Sequence, residues 1–510
     1  MGAIEQTDPM TAATEVDLLI IGGGINGAGI ARDAAGRGLS VLLCEKDDLG
    51  AATSSASSKL IHGGLRYLEQ YEFRLVAEAL AEREILLRCA PHIVHPMRFV
   101  MPHMPELRPA WMIRAGLFLY DYLARRHALP GSRGVDLRTV PYCAGLKPGL
   151  TKGFIYSDCR VDDARLVVSN ARAAARLGAT ILTRTECAAA HREQGRWQAT
   201  LRGANGVQTE VAAKALANVC GPWARKFIAD ILREATPFNL KLVKGSHIVV
   251  PRLYDADHAF ILQNDDRRVV FVYPYEQRYT LIGTTDVELH GDPGPCSAST
   301  EEISYLCRAA NRYFARPLQE HDVAWSYCGI RPLFDDGSPN PSAVTRDYVL
   351  RVDAVAGQAP LLSVFGGKIT TYRKLAEHAL AKLGPWFPQM HDDWTATAPL
   401  PGGDLAAANF DDFVGGRFRR DFPWVPAELR LALARRHGAD VYKVLDGAAA
   451  TADLGEYFGA DLYAREIEYM MAHEWARTVE DLLWRRTKCG LHLTAAQQQA
   501  VAGYVAQHMR

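Results

Sequence analysis

VDLLIIGGGINGAGIARDAAGRGLSVLLCE, residues 16–45, runs through a strand, a glycine turn, a helix and a second strand in the order of a βαβ unit. VDLLII (16–21) is a short apolar run closed by Gly22, the pattern of a buried parallel strand. The alanine-rich stretch from Asn26 to Gly36 is helical and is stopped by Gly36 and Gly38, and LSVLLCE (39–45) supplies the returning strand. The turn reads Gly22-x-Gly24-x-x-Gly27. Gly22 permits the tight turn, Gly24 lets a pyrophosphate approach the backbone, and Gly27 lets the helix pack closely on the sheet. The helix N-terminus then favours phosphate charge. Glu45 closes the second strand, where a carboxylate can accept both ribose hydroxyls. With every part in this order, a dinucleotide binds here. Glu45 disfavours a 2′-phosphate and hence NADP, while NAD and FAD both remain open.

Working outward, a chain of 510 residues divides into roughly two to four domains. Lys plus Arg and Asp plus Glu both total 58, so the formal charge is zero. That excludes a general polyanion binder, nucleic acid included, but leaves room for one local basic site for a phosphorylated metabolite. Ten cysteines form no CxxC pair and no regular framework, which points to a reducing cytoplasm. Residues 1–15, MGAIEQTDPMTAATE, read as a polar tail without the basic start and apolar core of a signal peptide. Gln6 stands where a myristoylation motif requires Ser or Thr. No uninterrupted apolar run approaches the roughly 18–20 residues that span a bilayer, so any membrane contact is expected to be peripheral.

Beyond the βαβ unit lies a loop of small hydroxyl residues, GAATSSASSKLIHGG (50–64), and then a helix expected from Tyr71 to Cys89. VDDARLVVSNARAAARLG (161–178) reads as another helix, and β-rich stretches follow over 180–217 and 241–286. LLSVFGGKITTYRKLAEHAL (361–380) is strand, Gly-Gly turn and helix. After Pro401-Gly402-Gly403 the composition shifts to helix formers and charges up to Arg510, as in a separate helical domain. WMIRAGLFLYDYLARR (111–126) is apolar around most of a helix, and the reading favours a helix packed inside a domain over one pressed against a surface. His92 and His95 have no third ligand nearby and are flanked by Pro91 and Pro96, so no metal is expected.

GGGINGAGIARDAAGRGLSVLLCEKDDLGAATSSASSKLIHGGLRYLE (22–69) resembles the FAD-dependent glycerol-3-phosphate dehydrogenases, the aerobic bacterial enzymes and their mitochondrial relatives. The likeness continues through SDCRVDDARL (157–166), KGSHIVVPR (244–252), IGTTD (282–286), GIRPL (329–333), FGGKITTYRKLAEHAL (365–380) and EWARTVEDLLWRRTKCG (474–490). It departs at NVCGPW (218–223), where the family usually has Asn-Ala-Thr-Gly-Pro-Trp. The resemblance implies an α/β chain with a Rossmann-like FAD-binding domain (16–90, 155–240 and 335–400). It also implies a β-rich substrate cap (91–154 and 241–334) and a C-terminal helical domain (401–510). FAD is the implied cofactor, glycerol 3-phosphate the substrate and dihydroxyacetone phosphate the product. Ubiquinone or menaquinone is the implied acceptor, reached by peripheral contact with the cytoplasmic face of the inner membrane. The oligomeric state stays open, a homodimer being one option.

Oxidising a phosphorylated alcohol requires a cationic pocket for the phosphate, a base for the hydroxyl proton and a hydride acceptor. Guanidinium groups suit the first task because they match phosphate geometry in a fork. Carried over by motif, Arg66, Tyr67 and Lys368 bind substrate, and Arg331 holds it near its reacting carbon. His247 is the expected general base, since imidazole titrates near neutrality. Expected FAD contacts are Gly22, Gly24, Gly27, Glu45, Ser54, Ser55, Lys59, Gly64, Gly366 and Gly367. Three rivals remain at this stage: a glycerol-3-phosphate oxidase that uses oxygen, an amine or amino-acid oxidase, and a non-catalytic FAD-binding scaffold.

Overall fold

The computed structural model describes residues 14–509, apart from 237, 267, 336–346, 355–356 and 407–408. Its first layer follows the sequence pattern: β1 (Thr14–Ile21), α1 (Ile25–Gly36), β2 (Val41–Glu45), α2 (Asp163–Arg176), β3 (Thr180–Thr183), β4 (Gln208–Asn218), β5 (Leu361–Phe365) and α3 (Tyr372–Leu383). The parallel strands lie in the order β5-β4-β1-β2-β3 within an eight-stranded sheet. Strand order reverses beside β1, the place where doubly wound sheets open a ligand crevice. Small residues of α1 (Ala28, Ala31, Ala34) let it pack against Val167 and Ala171 of α2 and Leu375 and Ala379 of α3 in one buried core. Asp162 caps α2, its side chain accepting the Arg165 N–H at 3.1 Å.

A second, ten-stranded sheet lies over the crevice. The strands that matter for the site are Leu240–Pro251 and its two antiparallel partners, Tyr279–Gly283 and Trp325–Phe334. The strand Lys152–Val161 belongs to this sheet, paired with Val94–Pro102, although the sequence reading began the returning dinucleotide segment at residue 155. A strand buried along nearly its whole length reads the same in either sheet, so its partner is set by tertiary pairing. From Phe410 onward the chain is mostly short helices around their own core, with one two-stranded sheet.

One expectation is corrected. The surface helix Ala110–Tyr122 buries only Ile113, Leu117, Tyr120 and Asp121, while Trp111 (70% exposed), Phe118 (53%) and Tyr122 (70%) face outward with Met112 and Leu119. Cys296 and Cys328, 32 residues apart, form a disulfide that ties the loop before the cap helix Thr300–Asn311 to strand Trp325–Phe334. Their spacing carries no motif signal. Among the described residues, no helix is long and apolar enough to cross a membrane.

Candidate active site

A cavity of 540 Å³ opens where the first sheet meets the second. At one end lies the glycine turn. Gly22 has φ +114°, and a Cβ there would lie 2.5 Å from the Val219 carbonyl oxygen. A Cβ on Gly27 would lie 1.9 Å from the Gly22 oxygen, so α1 reaches the sheet only because that atom is missing. The Gly23 and Asp47 amides donate to the two Glu45 carboxylate oxygens at 2.7 and 2.8 Å. Burial pushes the Glu45 carboxyl up, opposed by those two donors.

The N-terminus of α1 has no side-chain cap from its own N-cap residue, Gly24. Its Ile25 N–H is met instead at 2.9 Å by Ser54 Oγ from the hydroxyl loop. A helix N-terminus facing a cavity, with glycine backbone around it and an acid at the end of β2, fits the pyrophosphate and ribose of FAD. The Gly366 and Gly367 turn follows β5 on the same cavity, and Asn26 donates to the Gly366 oxygen at 3.2 Å.

At the other end the cap strands deliver the polar groups. His247 and Arg331 lie on neighbouring antiparallel strands, in registers opposite Tyr327 and Val243. Each needs a glycine to make room. A Cβ on Gly283 would lie 2.0 Å from His247 Cδ2, and one on Gly245 would lie 2.2 Å from an Arg331 terminal nitrogen. The His247 ring stacks on Tyr327 at 4.7 Å and 9°, its Nε2 lies 2.9 Å from Ser58 Oγ, and its buried Nδ1 makes no hydrogen bond. Burial, reinforced by Arg331 and Lys59, holds this imidazole well below the ordinary histidine range, so it is neutral near pH 7.

Arg331 is held by Asp286 and donates to Thr284 Oγ1 at 3.0 Å. Arg66 approaches the same carboxylate at 4.0 Å. The Lys368 ammonium sits 3.8 Å above the Tyr67 ring centroid. His62, which the sequence reading passed over inside the hydroxyl loop, also lines the cavity; burial and the nearby Lys368 push it down to about 4.

Gly22, Gly24, Glu45, Ser54, Tyr67, His247, Arg331, Gly366, Gly367 and Lys368 therefore share one cavity. The other expected site residues lie off its wall. Lys59 is corrected: it is buried against Asp163 Oδ1 and the Ser55 carbonyl, both at 2.8 Å, so its charge is spent on an internal ion pair. Ser55 Oγ turns back to the Ala52 carbonyl at 3.4 Å. Gly64 sits under the Tyr67 ring, which a Cβ would meet at 2.3 Å. Gly27 serves helix packing, and Arg66 faces Asp286. Val219 and Cys220, the departure in NVCGPW, both line the cavity.

The family model for FAD dependent oxidoreductases matches residues 17–373, and that for the C-terminal domain of alpha-glycerophosphate oxidase matches residues 394–510. A glycerol-3-phosphate dehydrogenase of Pseudomonas aeruginosa is 54% identical over 498 residues, covering 98% of this chain and 96% of its own. The chain belongs to the FAD-dependent glycerol-3-phosphate dehydrogenase family. A D-erythritol 1-phosphate dehydrogenase of Brucella abortus is 53% identical, covering 95% of this chain and 96% of its own. The crystal structure of the Bacillus halodurans glycerol-3-phosphate dehydrogenase complexed with FAD superposes with a TM-score of 0.76 at 28% identity, covering 97% of this chain and 90% of that one. The cofactor of this family member is FAD, and the fold is the Rossmann-like α/β arrangement with a cap and a helical C-terminal domain.

Proposed function

We propose that this enzyme oxidises sn-glycerol 3-phosphate to dihydroxyacetone phosphate and passes the electrons through FAD to ubiquinone or menaquinone. The observation that carries the reading is the meeting of Arg331, Lys368, Tyr67 and a neutral His247 on one cavity with the dinucleotide turn. Arg331 and Lys368 supply the cationic surface that a phosphoester and a developing alkoxide both need. His247 takes the hydroxyl proton on a ring nitrogen, and Ser58 and Tyr327 hold the plane of that ring. FAD, when bound, supplies the two-electron acceptor. The stacked Tyr327 and the buried cap strands exclude water from the base.

Acceptor choice separates this reading from an oxidase. With glycerol 3-phosphate under air, peroxide formation is expected to stay below about one-tenth of the rate measured with a soluble quinone analogue. Peroxide matching turnover in the absence of quinone would assign oxygen as the acceptor. D-erythritol 1-phosphate, assayed in parallel, tests how tightly the pocket selects a three-carbon substrate.

The outward apolar residues of helix Ala110–Tyr122 support peripheral contact with the inner membrane, where quinone resides. On the inner face Tyr120 OH accepts the Gly63 N–H at 2.7 Å, linking this helix to the hydroxyl loop just before Tyr67. Each aromatic side chain inserted into lipid contributes about 1.5–3 kcal/mol. The pair Trp111→Ser with Phe118→Ser is therefore expected to lower partitioning onto phosphatidylglycerol-containing vesicles by about 10²-fold or more. Activity with a water-soluble acceptor should be unchanged. Equal cosedimentation of the variant and the parent protein would rule this helix out.

A further inference from the structure

The turn 45–50 joins the ribose acid to the glycine fingerprint. Glu45, Lys46, Asp47 and Gly50 line the cavity, and the Gly50 N–H donates to the Gly23 oxygen at 3.0 Å. Asp48 points the other way and is 2% exposed. There it receives two guanidinium groups from the C-terminal domain. Arg486 grips it in a fork, 2.7 Å to each carboxylate oxygen, and Arg485 Nε adds a third contact at 2.6 Å.

Neither arginine is loose. Arg486 is fully buried and also donates to the Glu474 carbonyl at 2.7 and 3.2 Å, while Arg485 pairs with Asp481. Arg184 reinforces the turn from its far side: its N–H donates to the Asp47 carbonyl at 2.8 Å and its guanidinium to Asp481 at 2.6 Å. Lys488 reaches Asp162, the cap of α2, at 3.2 Å. The C-terminal domain thus clamps the backbone that aims Glu45 and the Gly23 carbonyl, and it does so from behind the cofactor cavity.

We propose that Arg485 and Arg486 are positioning residues for the adenosine half of FAD, acting through Asp48. This inference rests on the reading that Glu45 takes the ribose hydroxyls. A rigid, pre-aimed turn lowers the ordering that binding must impose, so removing the fork weakens only ligands that use that turn. A bare loss of folding would weaken every ligand alike.

The test is titration of deflavinated full-length protein with FAD, ADP and FMN, with thermal melts of the holoprotein alongside. Arg486→Gln is expected to raise the Kd for FAD and for ADP by about tenfold or more, leaving that for FMN within about twofold. Asp48→Asn with Arg486→Gln, which removes both charges of the fork together and leaves Arg485 on Asp481, should recover part of the loss. Arg485→Gln takes away one contact to Asp48, along with the Asp481 pair, and keeps the fork, so it serves as the milder variant if Arg486→Gln does not fold; its FAD and ADP affinities should fall by about threefold with FMN unmoved. Unchanged FAD and ADP affinities in both single variants would overturn the proposal, as would a parallel loss for FMN. Glu45→Gln separates the two layers: if it leaves ADP affinity intact while Arg486→Gln weakens it, the ribose reading fails and the clamp acts through the pyrophosphate turn alone.

Discussion

Replacing Arg331 by methionine is expected to lower kcat/KM for glycerol 3-phosphate by about 10³-fold, or about 4 kcal/mol of transition-state stabilisation, with flavin still bound. Arg331 reaches the cavity from a cap strand and touches none of the glycine turn, so its loss should spare cofactor binding. What disappears is a fixed guanidinium fork, already anchored by Asp286 and Thr284 before substrate arrives. Methionine keeps an unbranched apolar stem but neither the reach nor the charge of arginine, while Arg66 still approaches Asp286 at 4.0 Å, so part of the loss should appear in KM. Arg331→Lys should recover no more than about tenfold, because an ammonium is a point charge and forms no fork. Steady-state kinetics with the flavin-to-protein ratio measured on the same samples checks this. A fall of less than tenfold in the methionine variant would remove Arg331 from the substrate site.

His247→Asn is expected to lower kcat by about 10²- to 10⁴-fold, the usual span for removing a general base, again with FAD retained. The sign of the pH effect follows from the buried ring. A histidine whose folded pKa lies below its ordinary value stays neutral, and so competent to accept a proton, as pH falls through 6.5. The parent enzyme should therefore keep its base function from pH 8 down to about pH 6, and an acid limb centred on 6.5 in kcat would contradict the neutral ring. His62 is the natural comparison, since it lines the same cavity and is likewise held neutral. Losing His247 should cost more turnover than losing His62; the reverse order would move the proton-accepting role to His62.

How much of this was legible in the chain depended on how local each signal is. The glycine turn and Glu45 could be read directly because strand, turn, helix and acid follow one another within residues 16–45. Arg331, Lys368 and His247 stand far apart in sequence and were reached only through family motifs; nothing in their spacing brings them to one cavity. Lys59 shows the limit of reading charge alone, since its partner Asp163 lies 104 residues away on α2. The supporting glycines, Gly245 and Gly283, were invisible as such, because their use is to vacate space for side chains on neighbouring strands. The apolar stretch 111–126 reads as core from sequence because an all-round apolar pattern fits an interior and a lipid-facing surface equally well. Arg485 and Arg486 look like ordinary charges near the end of the chain until Asp48 is placed beneath them.

The most direct test is anaerobic. Stopped-flow mixing of the purified holoenzyme with glycerol 3-phosphate should bleach the flavin band near 450 nm in a single turnover, whereas glycerol, lactate and glycine should leave it unchanged. A flavin that stays oxidised with glycerol 3-phosphate present, in protein that still binds FAD, would contradict the assignment of this cavity.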